Sequence, residues 1–304
     1  MSGVSRYDEL PVAANGLRCA WAEFGPGDQR GTVNRLTDEV VAAAVAEVRT
    51  GQRVNISLPL TEPDPPFFGR KSYRHTITPM IPYLLDDVLD QFYPQCSTQW
   101  DGLRHRGDPT VGYYGGVSAE DASGLDGKLG IGVWAGTGLT GRGVLADLDL
   151  PDPLDRHPVT PDDIEQALAR QGTETRPGDI LLVRTGYLSR YLPAPPDERV
   201  RLRDSDTCAG LAASEAMAAY LWDKGFAAVA VDNPTGEVSP RDPAVPSLHS
   251  RLIPMLGFAL GELFDLDELA RVSAADGRYS CLVVSVPLNL PAGVGSPANA
   301  IAVR

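Results

Sequence analysis

Short apolar runs alternate with helix-forming segments through the second half of the chain, and this alternation constrains the fold most strongly. Three runs, at 180–185, 226–232 and 281–286, have the length and composition of buried strands. Helices are predicted before the first two runs, one capped by Thr160 and one over 212–224. Helices that alternate with buried strands predict an α/β fold built on a mixed sheet.

The first half of the chain predicts fewer regular elements. Thr37 caps a helix that Gly51 ends. The other predictions are a strand over 54–60, a proline-rich loop over 61–70 and an exposed loop over 107–130. We predict one domain over residues 1–304, with residues 1–50 as an N-terminal extension.

Composition limits the class of protein. Hydrophobic residues make up 43% of the chain, which suffices for a sizeable core. The net charge of −13 argues against a nucleic-acid partner, because phosphate neutralisation needs a basic patch. The four cysteines form no CxxC pair, which argues against a zinc ribbon. No apolar run is long enough to span a membrane and no apolar leader opens the chain, so we expect a cytoplasmic protein.

Two of the four histidines have ordinary interpretations. His157 lies just before a predicted helix cap and is interpreted as a surface or capping residue. His75 follows several polar residues in a loop, where a structural or substrate-adjacent role fits.

The segment 95–105 concentrates the polar chemistry of the chain. Asp101 offers a hard oxygen to a divalent metal, and His105 can bind metal or move protons near neutral pH. The same residues also fit a polar turn beside Gly102, so spacing alone leaves both interpretations open.

His249 and Glu262 form a second pair of interest. Glu262 lies between apolar neighbours, where an unpaired carboxylate would be costly to bury. Its partner could be a metal cation or Arg251, and spacing alone does not decide between them.

The segment 95–105 resembles the signature of the cyclase family, which includes kynurenine formamidase and isatin hydrolase. That signature reads His-x-Gly-Thr-His-x-Asp-x-Pro-x-His, and Thr98, Asp101 and His105 match it. The form Ser-Thr-Gln-Trp-Asp-Gly-Leu-Arg-His looks like a distinct branch of the family. Further pieces follow in the family's order, at 133–134, 141–145, 176–187, 231–234 and 285–300.

The resemblance implies both a fold and a set of site residues. The implied fold is α/β, with a mixed or barrel-like sheet and flanking helices of the swivelling β/β/α type, assembled as a homodimer or homotetramer. The implied activity is hydrolysis of a small amide or lactam at a divalent metal. Asp101, His249 and Glu262 become the metal ligands by position, and His105 becomes the acid/base.

The chain departs from the family signature at two positions. Gln95 and Gln99 stand where the signature has metal-binding histidines. Glutamine offers a neutral carbonyl oxygen and binds zinc less well than imidazole does. A single manganese ion is therefore favoured over zinc, with Gln99 as a further ligand, and loss of the metal is the alternative.

Aromatic residues near the signature predict a substrate-binding wall. Tyr93, Trp100 and the pair Phe67–Phe68 fit an apolar or aromatic substrate, and Gln95 is also predicted to bind it. Core packing is the alternative for the aromatic side chains.

The leading hypothesis is hydrolysis of a small amide, lactam or ester by metal-activated water, with a small molecule as the partner. Two alternatives stay open. One is a cyclase or dehydratase acting on a secondary-metabolite intermediate, and the other is a metal-free, non-catalytic member of the fold.

Overall fold

The computed structural model describes residues 4–304 and shows a curled mixed sheet with helices packed against it. The strands are β1 (Arg53–Asn55), β2 (Arg74–Ile81), β3 (Leu84–Asp90), β4 (Gln99–Asp101), β5 (Leu139–Asp147), β6 (Pro158–Val159), β7 (Ile180–Arg184), β8 (Gly210–Leu211), β9 (Ala228–Val231), β10 (Ala259–Glu262), β11 (Ser280–Ser285), β12 (Gly295–Pro297) and β13 (Ala300–Val303). The main sheet has the order β1-β13-β11-β5-β7-β9-β10-β4-β12. The predicted fold class is confirmed.

The helices lie between the strands. The α-helices are α1 (Asp38–Ala44), α2 (Ala119–Ala122), α3 (Gly132–Ala135), α4 (Pro161–Arg170), α5 (Tyr187–Tyr191), α6 (Pro196–Ser205), α7 (Glu215–Asp223), α8 (Leu248–Arg251) and α9 (Asp267–Asp276). Short 3₁₀ turns cover Tyr7–Glu9, Gly31–Arg35, Val45–Glu47 and Tyr114–Gly116, and a π-helical turn covers Leu252–Leu256.

The centre of the main sheet is parallel and buried on both faces. Strand β7 pairs with β5 and β9, and β9 pairs with β10, all in parallel. In β9, Ala228 and Ala230 belong to one core cluster, whereas Val229 and Val231 belong to the cluster that packs under α4 and α7. Burial on both faces explains why the run at 226–232 is apolar throughout.

Two helix caps predicted from the sequence are confirmed, and one predicted strand is shorter. The hydroxyl groups of Thr37 and Thr160 accept hydrogen bonds from backbone amides in the first turns of α1 and α4. The strand predicted over 54–60 ends at Asn55, whose side chain bonds both the amide and the carbonyl of Ser57 at 3.1 and 2.8 Å. At the next position the amide of Ile56 still donates to the carbonyl of Ala300 at 3.1 Å, but the amide of Ala300 donates to the Ser57 hydroxyl at 2.8 Å, so the regular ladder ends there.

Residues 4–50 take part in the core of the protein. Tyr7 and Val33 belong to the two large core clusters. The hydroxyl of Thr32 donates to the carbonyl of Ala227 at 2.7 Å, beside the buried strand β9. The segment described in the sequence as an extension is therefore packed against the central sheet, and the one-domain organisation stays a prediction.

The hairpin β2–β3 has both faces exposed. Its exposed apolar side chains are those of Ile77, Met80, Ile81, Tyr83, Leu84, Leu85, Val88 and Leu89. His75 also lies here, with Nε2 2.5 Å from Asp87 Oδ1. A two-stranded hairpin is marginally stable alone and gains stability from another surface. The homodimer or homotetramer stays a prediction that light scattering coupled to chromatography tests.

Two further expectations concern membranes and thiols. Across residues 4–304, no helix combines the length and the hydropathy that crossing a bilayer requires. All four cysteines are buried free thiols.

Candidate metal centre

The register between β4 and β10 assembles the first part of the site. Gln99 lies opposite Glu262, and Trp100 lies opposite Gly261. Because successive side chains of a strand point to opposite faces, Gln99 and Asp101 share one face while Trp100 points to the other. The register therefore brings Gln99, Asp101 and Glu262 together.

Trp100 is a core residue. Its ring is fully buried and packs edge-to-face on Phe264 with the centroids 4.9 Å apart, and its indole N–H donates to Ser285 Oγ at 2.8 Å. A Cβ atom at Gly261 would lie 2.9 Å from the indole ring, so the ring occupies the space above this glycine. The substrate-binding role predicted for Trp100 is corrected to core packing.

We expect Trp100→Phe to lower the free energy of unfolding by about 2 kcal/mol, because it leaves a cavity and removes the hydrogen bond to Ser285. Urea unfolding measures the change. Leu125→Ala, at an exposed position outside the cavity, is the control and should stay within about 0.5 kcal/mol of the parent. A Trp100→Phe protein with parental stability and weaker substrate binding would contradict the core assignment.

His249 reaches the strand residues from α8. Ser247 caps this short helix by accepting a hydrogen bond from the amide of Ser250. His249 Nε2 lies 3.2 Å from Glu262 Oε1 and 3.6 Å from Asp101 Oδ2. Donor atoms of Asp101, His249 and Glu262 all lie within 4.8 Å of one another. Three of the predicted ligands therefore converge on one point.

Several buried oxygen atoms at this point have no partner. Among residues 4–304, neither carboxylate oxygen of Asp101 nor Oε1 of Gln99 has a hydrogen-bond partner. Gln99 Nε2 donates a hydrogen bond to Glu262 Oε2 at 2.6 Å. The side-chain carbonyl oxygen of Gln99 is therefore the atom that can bind a metal ion. Buried polar groups without partners are costly, and a cation is the partner that satisfies all three oxygens. The residues present therefore fit a divalent ion.

Glu237 orients the histidine and is not among the residues predicted from the sequence. Its Oε1 lies 2.7 Å from His249 Nδ1, and its Oε2 accepts from the amide of Leu248 at 2.6 Å. A carboxylate on the outer nitrogen of a ligating histidine fixes the ring and leaves Nε2 for the metal. The available signal was its place three residues after the segment 231–234, which resembles the family pattern.

The close packing of carboxylates around His249 shifts the pKa values of the site residues. Burial acts to lower the pKa of His249, but the contacts with Asp101, Glu237 and Glu262 raise that pKa well above its usual value. Burial raises the pKa of Glu262, and the nearby Asp101 carboxylate raises it further. The pKa of Asp101 is lowered, because His105 and His249 outweigh the effect of burial. Three acids thus share one buried imidazole, and a metal cation would compensate the remaining charge.

His105 lies beside this set of ligands and faces a cavity. Its Nδ1 is 3.5 Å from Asp101 Oδ1, and its ring centroid is 6.3 Å from that of His249. The cavity has a volume of about 590 Å³, and His105, His249, Glu237 and Glu262 line it. The predicted acid/base therefore faces the space that a substrate would occupy.

Comparison with known proteins identifies the family. The family model with the description "Putative cyclase" matches residues 54–238. The chain belongs to the cyclase family. A solved structure described as a novel cyclase is 32% identical and superimposes with a TM-score of 0.86, covering 94% of this chain and 99% of that chain. A search of curated protein sequences finds no significant match.

The fold of this cyclase-family chain is also that of isatin hydrolases. Isatin hydrolase A from Labrenzia aggregata, solved with benzyl benzoate, has a TM-score of 0.57 at 17% identity and covers 87% of this chain and 97% of that chain. Isatin hydrolase A from Ralstonia solanacearum has a TM-score of 0.59 at 14% identity, with coverages of 87% and 95%. These likenesses show a shared fold.

The other residues predicted to bind substrate have different places in this cyclase-family structure. Phe68 lines the cavity. Among residues 4–304, Tyr93 and Gln95 are not part of the cavity lining. They lie in the turn ahead of β4, in which the amide of Cys96 donates to the carbonyl of Tyr93. The substrate-binding roles predicted for Tyr93 and Gln95 stay predictions.

The two remaining histidines lie outside the cavity. The carbonyl of His157 accepts from the amide of Gly210 at 3.1 Å, next to the β6–β8 pair. His75 lies on the exposed hairpin. Neither lines the cavity among residues 4–304, and His75 lies in strand β2 instead of the predicted loop.

We expect Glu237→Gln to weaken manganese binding by about 10- to 100-fold, because the amide no longer holds the His249 ring through a charged hydrogen bond. Titration calorimetry of the metal-free protein measures the affinity. Glu174→Gln, at an exposed position ahead of β7, is the matched control and should bind manganese as the parent does. Equal affinities in both variants would remove Glu237 from the site.

Proposed function

We propose that this cyclase-family protein is a metal-dependent hydrolase of a small amide, lactam or ester. The observation that carries the proposal is the convergence of Asp101, His249 and Glu262 donor atoms within 4.8 Å of one another. Two of these residues also line the cavity of about 590 Å³, which is large enough for a small organic substrate.

Asp101, His249 and Glu262 would hold the ion, with Gln99 Oε1 as a neutral fourth donor. The donor set contains more oxygen than nitrogen and no thiolate, which favours manganese and leaves zinc as the alternative. When bound, a divalent ion lowers the pKa of a coordinated water and polarises a carbonyl group.

The protein's own residues supply positioning and proton transfer. His105 Nδ1 faces Asp101 at 3.5 Å, so the carboxylate orients the imidazole ring. His105 takes the proton of the attacking water and returns it to the leaving nitrogen or oxygen. Glu237 holds His249 in place, and Phe68 offers an apolar wall to the substrate.

Mass spectrometry in ¹⁸O-labelled water tests the reaction class. Isatin, an anilide and 4-nitrophenyl acetate are incubated with the manganese-loaded protein, with EDTA-treated protein as the control. We expect a product that contains one added water with one ¹⁸O atom, formed only with the metal. A product of unchanged mass or one lighter by a water would instead support the cyclase or dehydratase alternative.

A further inference from the structure

Three arginines line the cavity beside the proposed metal ligands, although the protein as a whole is acidic. The net charge of the chain is −13, yet Arg70, Arg106 and Arg241 all line this one cavity. Among residues 4–304, none of the three has a carboxylate oxygen within 4.0 Å. Some other buried or half-buried arginines do, such as Arg142 with Glu47 at 2.9 Å and Arg184 with Asp147 at 2.8 Å. The buried Arg104 instead donates to the backbone carbonyls of Ala292 and Gly124.

Arg70 is held in place by contacts that leave most of its donors free. Its Nη1 donates to the carbonyl of Gln95 at 2.5 Å, and its guanidinium carbon lies 5.2 Å from the centroid of the Phe68 ring. A guanidinium has five N–H donors, and these contacts use one of them. A fixed, planar fork with free donors is the arrangement that binds a carboxylate through two parallel hydrogen bonds.

Arg106 and Arg241 lie at more exposed positions of the same cavity. Arg106 Nη2 lies 3.4 Å from the hydroxyl of Ser250, the neighbour of His249 in α8. The guanidinium of Arg241 makes no hydrogen bond or ion pair with the described residues. Both positive charges are therefore available to a bound anion.

The acidic residues that line the cavity either contact His249 or are exposed to solvent. Glu237 and Glu262 contact His249 at 2.7 and 3.2 Å and belong to the metal end. Asp206 is exposed and is the one other acid in the lining among residues 4–304. The cavity is thus lined both by acidic residues that fit a metal cation and by three arginines that have no carboxylate partner among residues 4–304.

We propose that this cavity takes a substrate that bears a carboxylate, which Arg70 binds with support from Arg106 and Arg241. The hydrolysable carbonyl then lies beside His249 and Glu262, the two ligands that line the cavity. The reacting end rests on the proposed hydrolase function, whereas the binding of the carboxylate does not require turnover. The chemical class is a small carboxylic acid that contains an amide or ester bond.

Two anilides of matched shape test the charge preference. Succinanilate carries a carboxylate where butyranilide has a methyl group. Titration calorimetry with the manganese-loaded protein should show at least about tenfold tighter binding of succinanilate, as expected for a charge-assisted pair. Arg70→Gln should remove most of this difference. Arg74→Gln is the matched control, because Arg74 is exposed, pairs with Asp90 and lies outside the cavity.

The outcomes separate the anion site from the hydrolase function. Equal affinities for the two anilides in the parent would overturn the carboxylate site. The preference for succinanilate could also survive in Arg70→Gln and in the double variant Arg106→Gln/Arg241→Gln but disappear with EDTA. That result would assign the carboxylate to the metal and would also overturn the arginine site. The double variant decides the matter if Arg70→Gln does not fold.

Hydrolysis is scored separately on the same anilides. An arginine-dependent preference without cleavage would support the carboxylate site while the hydrolase function fails. Cleavage of both anilides with equal kcat/KM would support the hydrolase function and overturn the carboxylate site.

Discussion

Asp101→Asn is expected to abolish metal retention and reduce hydrolysis to background. Asp101 is fully buried, and neither of its carboxylate oxygens has a hydrogen-bond partner among residues 4–304. The substitution keeps the shape of the side chain but removes one of the negative charges that attract the cation. We expect manganese affinity to fall by more than the roughly 10- to 100-fold that loss of an outer-shell partner causes.

Elemental analysis after dialysis measures the metal content of the Asp101→Asn protein. Its thermal unfolding in EDTA distinguishes a ligand from a structural residue. Because contacts with His105 and His249 lower the pKa of Asp101 and so favour its ionised form in the folded protein, we expect the metal-free variant to remain folded but to be somewhat less stable than the metal-free parent. Asp87→Asn, on the exposed hairpin, is the control and should keep its metal. Full metal content in Asp101→Asn would remove this residue from the ligand set.

His105→Asn is expected to lower kcat by about 10²- to 10⁴-fold, the contribution typical of a general acid/base. His105 faces the cavity but lies outside the group of donor atoms that converge within 4.8 Å, so the metal content should not change. Steady-state kinetics and elemental analysis on the same preparation measure both quantities. The readout is therefore a loss of turnover with the metal still in place.

His157→Asn is the matched control for this experiment. His157 lies outside the cavity, and its substitution should leave kcat within about twofold of the parent, as for a surface change without a role. Parental kcat in His105→Asn would defeat the acid/base role. Loss of the metal in that variant would make His105 a ligand instead.

The fold was predictable where the sequence carries a clear periodic pattern. The buried strands at 180–185 and 226–232 and the caps at Thr37 and Thr160 agree with the structure. Strand β4 has three residues, which is too short to show a period, so its register with β10 was not readable. The hairpin β2–β3 is exposed on both faces and therefore lacks the alternation that marks a half-buried strand.

The site was predictable only in part, because spacing alone left each pair of residues open. The family resemblance, and not periodicity, proposed that Asp101, His249 and Glu262 act together. Trp100 was assigned to the wrong environment because the alternation within β4 sends it away from its neighbours. Glu237 escaped prediction because its partner lies 12 residues further along the chain, and only the position of α8 brings the two together.

The two glutamines of the signature also separate in the structure. Gln99 lies in β4, where its Nε2 donates to Glu262 and its buried carbonyl oxygen has no hydrogen-bond partner among residues 4–304. Gln95 lies in the preceding turn, where its backbone carbonyl holds Arg70. The same residue type at two signature positions therefore has two different surroundings, which the sequence alone does not distinguish.

The most direct test of the metal centre is anomalous diffraction at the manganese absorption edge from crystals grown with Mn²⁺. We predict one strong peak per chain within coordination distance of Asp101, His249 and Glu262, with Gln99 Oε1 facing it. Absence of a peak at this position, or a peak confined to surface carboxylates, would contradict the assignment of these residues as a metal centre.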